Sequence, residues 1–295
     1  MKQTWLARLA LVPALALLLA GCRGGGNQPE KVTTATGTYK GQTITLSLTK
    51  ETDFVAGEDF LFYNNGYMTF LDITNTMEAE QPEIEYSCLD VNGKKLFTIN
   101  CDSILPVNQD GVTYARLEDG TCVRVNLNGD QTEISEDEYF EAEMAVSEKL
   151  PWEQNYSSHH FEETENADGT YSHQLIYGDG TAGSTFIAKE TEEVKCITDK
   201  LVTVGYYDGE RRLFDITGKQ LHDKPFDSIG YFYNGLAPFW QDGKMGLLGD
   251  DGSIVIPATF PHTPDALSTI PFNEDILVLT DSVEFTITLF KVTRG

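Results

Sequence analysis

Carboxylates are the side chains best supplied for chemistry in this 295-residue chain, with 46 Asp and Glu against 21 Lys and Arg and 5 His. No two of them stand at a spacing that nominates the acid and base of glycoside hydrolysis. His159-His160-Phe161-Glu162-Glu163 is the run densest in metal-ligand types. On a strand, alternation places His159 with Glu163 on one face and His160 with Glu162 on the other, short of the ligands a zinc site needs. Asp250-Asp251 beside Asp242 would suit calcium by charge, but the EF-hand pattern is missing and turn formation accounts for these acids. A nucleophile elbow, a His-Glu-x-x-His pair, a phosphate loop and a dinucleotide fingerprint are also missing from the sequence. The expectation is a protein without metal or cofactor.

Aromatic residues offer a different chemistry. Tyr206-Tyr207, Tyr231-Phe232-Tyr233 and Phe239-Trp240 are dense. Adjacent residues of a strand point to opposite faces, so these rings cannot all lie in one core layer. Rings left on a loop face would stack on sugar or peptide, and Tyr207, Tyr231, Tyr233 and Trp240 are the candidate contacts. The other use of the same rings is packing between repeated units.

The elements that must position them are strands. Thr43-Ile44-Thr45-Leu46-Ser47-Leu48 alternates polar and apolar, as a half-buried strand does. Similar runs follow at 123–127, 201–206, 254–256 and 285–290. Between them recur Asn65-Gly66, Asn92-Gly93, Asp119-Gly120, Asp208-Gly209, Asp242-Gly243 and Asp251-Gly252, pairs that tolerate the positive φ of tight hairpins. One helix is predicted: Ser135-Glu136-Asp137-Glu138 has the form of a capping box, and Pro151 limits the helix downstream. An irregular or helical insertion is expected over about 135–195.

The chain repeats itself. Asp208-Gly209 to Gly218, Asp242-Gly243 to Gly252 and Asp119-Gly120 to Gly129 each hold two glycines nine residues apart with apolar residues between. Asn65-Gly66 keeps that spacing to Asn75, a residue that can take the left-handed conformation. A small meander cannot bury its apolar face alone, so neighbours must stack. The expected fold is all-β, with repeated antiparallel meanders in a propeller-like arrangement over 33–295 and six or seven units. The alternative is an open, curved meander stack. The run Glu284–Val292 is expected to pair near Thr43–Leu48 and close the ring.

The copy Tyr233-Asn234-Gly235-Leu236-Ala237-Pro238, followed by Asp242-Gly243-Lys244-Met245-Gly246 and Asp251-Gly252-Ser253-Ile254-Val255-Ile256-Pro257, resembles a WG repeat, whose pattern runs NGLA, DGKWG, DxxGxxVIP. Met245 stands where that pattern has Trp. The resemblance implies a bacterial surface or envelope protein with a binding role.

The amino terminus fixes a compartment. Lys2 and Arg8 precede an apolar run from Leu9 to Ala20, too short to span a bilayer, so residues 1–21 are predicted to be a secretory signal. Leu19-Ala20-Gly21-Cys22 resembles the lipobox of a bacterial lipoprotein. The resemblance implies cleavage before Cys22, lipid on that cysteine, and anchoring to the extracytoplasmic face of the cell membrane. Residues 22–32, rich in Gly, read as a flexible tether. Losing Lys2 and Arg8 leaves 19 basic against 46 acidic residues, a net charge of −27. Such a chain repels nucleic acid and anionic headgroups, so membrane contact falls to the lipid. Cys88, Cys101, Cys122 and Cys196 show no diagnostic spacing, and are expected as small core residues or one disulfide.

The expected function is non-catalytic binding to a cell-wall glycan, a peptide or an envelope protein. An envelope hydrolase built from loop carboxylates is the alternative, and several acids of raised pKa in one pocket would favour it.

Overall fold

A computed structural model describes residues 32–57, 61–74, 85–147, 157–206, 209–262, 272–280 and 286–295. The predicted signal, Cys22 and all of the expected tether but Val32 lie outside the described residues. Among those described, 21 strands and one helix make six antiparallel sheets. Sheet 1 is built from both ends of the chain: β1 (Thr34–Tyr39) and β2 (Gln42–Val55) join β20 (Ile276–Thr280) and β21 (Thr286–Arg294), in the order β1-β2-β21-β20.

The other five are meanders of consecutive strands. Sheet 2 holds β3 (Tyr67–Leu71), β4 (Glu85–Asp90) and β5 (Lys95–Asn100). Sheet 3 holds β6 (Ser103–Ile104), β7 (Val112–Arg116), β8 (Cys122–Asn126) and β9 (Gln131–Glu133). Sheet 4 holds β10 (His160–Glu165), β11 (Thr170–Ile176) and β12 (Ala182–Lys189). Sheet 5 holds β13 (Glu193–Cys196), β14 (Leu201–Gly205) and β15 (Arg211–Asp215). Sheet 6 holds β16 (Ser228–Ile229), β17 (Leu236–Gln241), β18 (Lys244–Gly249) and β19 (Ile254–Pro261). The fold is therefore propeller-like and all-β, with six sheets among the described residues where six or seven units were expected. The insertion is smaller than the sequence suggests: α1 (Glu136–Ser147) is helical, but residues 160–189 form an ordinary sheet.

The expected pairing is present. β2 and β21 pair antiparallel, with Ile44 opposite Arg294 and Leu48 opposite Phe290. Strands from the first and last parts of the repeat domain thereby share one sheet.

Apolar clusters join successive sheets. Met68 and Phe70 of sheet 2, with Leu61 from the segment before it, meet Val278 and Leu289 of sheet 1. Cys88 and Ile99 meet Ala115 and Val125 between sheets 2 and 3. Leu175 and Phe186 meet Val202 and Val204 between sheets 4 and 5. Leu213 meets Ala237 and Phe239 between sheets 5 and 6, and Met245 and Ile256 meet Ile44 and Phe290 between sheets 6 and 1. Sheet 3 turns its remaining apolar surface to α1, where Leu105 and Cys122 pack on Tyr139. Ser135 caps α1 as predicted, its hydroxyl oxygen accepting the Glu138 N–H at 3.2 Å. Phe140 and Met144 remain exposed on the opposite side.

Turn chemistry divides the glycine pairs into two kinds. Asn65-Gly66, Asn234-Gly235 and Asp242-Gly243 take positive φ at both residues, the two-residue hairpin expected. At Asn92-Gly93 only Gly93 does, at 70°. There Gly93 N–H donates to the Asp90 carbonyl and Asp90 N–H to the Lys94 carbonyl, a three-residue loop with a bulge. Cys88 still faces Phe97, as a two-residue loop would require, because the register shifts between Cys88 and Leu89. The four cysteines described are all free; Cys88, Cys101 and Cys122 are buried and Cys196 is half-buried. Burial pushes the Cys88 and Cys101 thiols up to about 12 and Cys196 to about 11, so none is a thiolate nucleophile at neutral pH.

A partly buried ion pair sits beside sheet 2. Asp72, 1% exposed, accepts hydrogen bonds from Lys95 Nζ at 2.6 Å and Ser87 Oγ at 2.7 Å, and from Thr74. Burial alone would raise its carboxyl pKa, but Lys95, Thr74 and Ser87 outweigh that and hold it below the usual carboxylate range. The unfolded state therefore binds this proton more readily. Asp72 contributes stability above the ordinary carboxylate pKa, and that contribution disappears as pH falls through the depressed value. Asp72→Asn should cost about 2–3 kcal/mol at pH 7. In urea melts its deficit relative to the parent should narrow below about pH 4. A deficit independent of pH would mean that the charge is not what Asp72 contributes. Gly37 of β1 lies so close to sheet 6 that an added Cβ would come within 1.8 Å of the Val255 carbonyl oxygen. Gly37→Ala should force the two sheets apart and lower stability by about 1–3 kcal/mol, read as a fall in Tm.

Candidate functional site

Four aromatic residues were the sequence candidates, and the structure separates them. Trp240 is 1% exposed, in the core shared by sheets 6 and 1, and its Nε1–H donates to His262 Nδ1 at 3.2 Å. A ring enclosed in this way cannot stack on a ligand, so Trp240 is a packing residue. Tyr233 is half-buried and meets Phe272 edge to face, with ring centroids 5.4 Å apart. Tyr231 is half-buried, and Tyr207 lies outside the described residues.

Tyr233 belongs to a linkage used three times. The same narrow turn precedes β3, β17 and β20, closed by the bridges Asn64 to Tyr67, Tyr233 to Leu236 and Asn273 to Ile276. In each, the first turn residue reaches the next sheet. Tyr233 touches the Phe272 ring, Asn273 Nδ2 donates to the Tyr63 carbonyl at 2.7 Å, and Asn64 Nδ2 donates to the Val107 carbonyl at 3.0 Å. Asn65 Nδ2 adds a second bond to the Val107 carbonyl at 2.8 Å. The turn before β20 has no glycine, so Glu274 and Asp275 hold φ of 52° and 58° themselves, a strained conformation for both. The Glu274 carboxylate compensates by accepting the N–H groups of Asn65 and Gly66, at 2.5 and 2.7 Å.

These links shape a cleft of about 280 Å³ between sheet 2, sheet 3 and α1. One wall is polar: Asn64 and Asn65 from the turn before β3, and Asn108 and Gln109 from the loop before β7. Phe62, Pro106 and Tyr114 add ring surface, and Ala142, Ala145 and Val146 of α1 supply an aliphatic wall. None of these side chains is charged, in a chain of net charge −25.

Several of the amides have one end fixed. Asn64 and Asn65 spend their Nδ2 groups on Val107, which leaves each Oδ1 unused. Asn108 does the reverse: its Oδ1 accepts the N–H groups of Asp110 and Val112, at 3.0 and 3.1 Å, which leaves Nδ2 unused. Every buried side-chain nitrogen or oxygen among the described residues has a partner, so these unused atoms face solvent. The cleft thus presents hydrogen-bonding groups of known polarity on a braced wall. Sequence reading missed it because its polar residues look like ordinary turn formers. The one signal was Asn64-Asn65-Gly66, where a second amide precedes a turn that needs only Asn-Gly.

Neither the histidine run nor the acidic turns assemble a metal or hydrolase site among the described residues. His159 Nδ1 accepts the Gly178 N–H at 3.2 Å, and its ring packs edge-on against Tyr177. No group of three His, Cys, Asp or Glu among the described residues could hold a metal ion. Asp250 accepts Tyr39 Oη at 2.6 Å and Lys40 Nζ at 3.0 Å, while Asp251 caps its own turn through Ser253. Six aspartates among the described residues have a displaced pKa, each lowered. In Asp119, Asp168 and Asp179 the cause is hydrogen bonding to the residue two positions on. None of the six therefore has the raised pKa of a general acid.

Fold and cleft together define a propeller-like all-β protein with an uncharged, amide-lined cleft at its helical insertion. No family model matches the chain, and no curated protein does. Among solved structures, BamB from Moraxella catarrhalis is 14% identical with a TM-score of 0.27, over 88% of this chain and 82% of that one. Regucalcin from Agrobacterium tumefaciens, described as a calcium-binding protein, is 14% identical with a TM-score of 0.31, over 83% and 92%. A structure described as a gluconolactonase is 11% identical with a TM-score of 0.32, over 84% and 92%. Scores this low carry nothing about activity or partners to this chain. No helix among the described residues is long and apolar enough to cross a membrane.

Glu274→Ala would release the two N–H groups that brace the cleft. Amide hydrogen exchange at Asn65 and Gly66 should speed up, with a stability loss of about 1.5–3 kcal/mol. Unchanged exchange at both amides would show that the carboxylate does not hold this turn.

Proposed function

We propose that this protein is a lipid-anchored binding scaffold on the extracytoplasmic face of a bacterial cell membrane, built from degenerate WG-type repeats. In this proposal the cleft at α1 holds an uncharged polar ligand of the envelope, whether glycan, peptide or protein. The observation that carries it is the lining itself: four carboxamides, ring surface and small aliphatic side chains, with no charge, in a strongly acidic chain. Carboxamides pair equally with donors and acceptors, and the adjoining apolar wall excludes water behind a ligand. The anchor is supported by Leu19-Ala20-Gly21-Cys22 at the end of the apolar run. Of the four aromatic candidates, Trp240 and Tyr233 contribute little to this reading, since both are engaged in packing.

Two measurements test it. Cys22→Ala should move the full-length protein, expressed in a bacterial host, from the detergent phase to the aqueous phase on detergent partition. Detergent partition unaffected by that substitution would remove the lipid anchor. For binding, the chain from Asn27 onward would be offered purified cell wall and envelope extract, beside an Ala145→Trp variant. Ala145 is exposed on α1 and lines the cleft, so the indole should fill the cleft without disturbing the core. Retention that falls about tenfold or more in the variant, with unchanged circular dichroism, is the expected outcome. Equal retention of both proteins would exclude the cleft.

A further inference from the structure

We infer that the cleft takes a neutral, N-acetylated hexopyranose unit; this rests on reading the cleft as the binding site. Two opposed walls of different polarity call for a ligand with the same asymmetry. A pyranose ring has hydroxyls around its edge and C–H groups on its faces. Asn64 Oδ1 and Asn65 Oδ1 are acceptors for hydroxyl groups, because their nitrogens are committed to the Val107 carbonyl. Asn108 Nδ2 is a donor, because its oxygen is committed to the loop. Tyr114 and Phe62 offer ring surface for a C–H face.

The acetamido group accounts for the aliphatic wall. Its methyl suits the small aliphatic surface of Ala142, Ala145 and Val146, and its carbonyl needs the kind of donor that Asn108 supplies. A charged sugar would meet no counter-charge, since no lining side chain is ionised. A carboxylate-bearing ligand is further opposed by the net charge of −25. An extended peptide is the weaker fit, because turns, a helix and the inner strand β7 form the walls and none offers a strand edge for main-chain pairing.

Calorimetric titration of the chain from Asn27 with four neutral or charged probes tests this: diacetylchitobiose, cellobiose, the de-acetylated glucosamine dimer and a blocked dialanine peptide. Diacetylchitobiose should bind about tenfold more tightly than cellobiose, and the glucosamine dimer should not bind detectably. Asn108→Asp keeps the oxygen that caps the loop while removing the free N–H₂, and should weaken diacetylchitobiose about tenfold or more. Ala145→Trp should abolish its binding. Equal affinity for cellobiose would overturn the acetamido assignment. Binding of the peptide alone, lost in Ala145→Trp, would overturn the sugar class and leave the cleft as the site. Sugar binding unaffected by Ala145→Trp would overturn the cleft itself, and no heat with any probe would overturn the inference.

Discussion

Everything in this molecule depends on the fact that no sheet can stand alone. Sheets of three or four short strands expose more apolar surface than they cover, and isolated meanders of this size are marginal in water. Each sheet is therefore stabilised by its neighbours: Val202 and Val204 exist as core only because Leu175 and Phe186 lie against them. The first and last strands described fold into one sheet, so that Ile44 and Leu46 share a core with Leu277 and Phe290. Bringing together residues some 240 positions apart costs little more than joining a loop half that length, because closure entropy grows only logarithmically.

Much of that arrangement was legible in the sequence. The alternation of Thr43–Leu48 and the apolar run near 285–290 pointed to a closing pair, and Ser135 with Glu138 gave the start of the helix. Recurrent Gly93, Gly129, Gly218 and Gly252 marked the turns because each must hold positive φ. Other parts were hidden for physical reasons. Sheet 4 escaped notice because β10, His160–Glu165, is almost entirely polar and exposed, so it lacks the alternation that betrays a strand. The turn at Asn92-Gly93 carries the same dipeptide as a two-residue hairpin yet forms a bulged loop, and the deciding group is Asp90, whose side chain captures two backbone N–H groups.

The candidate site was the least legible feature. Aromatic density drew attention to Tyr233 and Trp240, but repeat positions are rich in aromatics because sheets must pack, and both serve that end. The cleft is instead lined by amides whose functional meaning depends on which end of each amide is already bonded. That information exists only once Val107 and the loop at 108–112 are placed around them.

The shared sheet also imposes an order of events on synthesis. β2, at 14 residues the longest strand described, is among the first parts of the chain to be made, whereas β21 is the last. Until β21 emerges, β2 has one side paired to β1 and an open edge on the other. An open edge of that length is a template for pairing with another chain. Completion of sheet 1 therefore waits on β21, and until then the edge of β2 is an aggregation hazard.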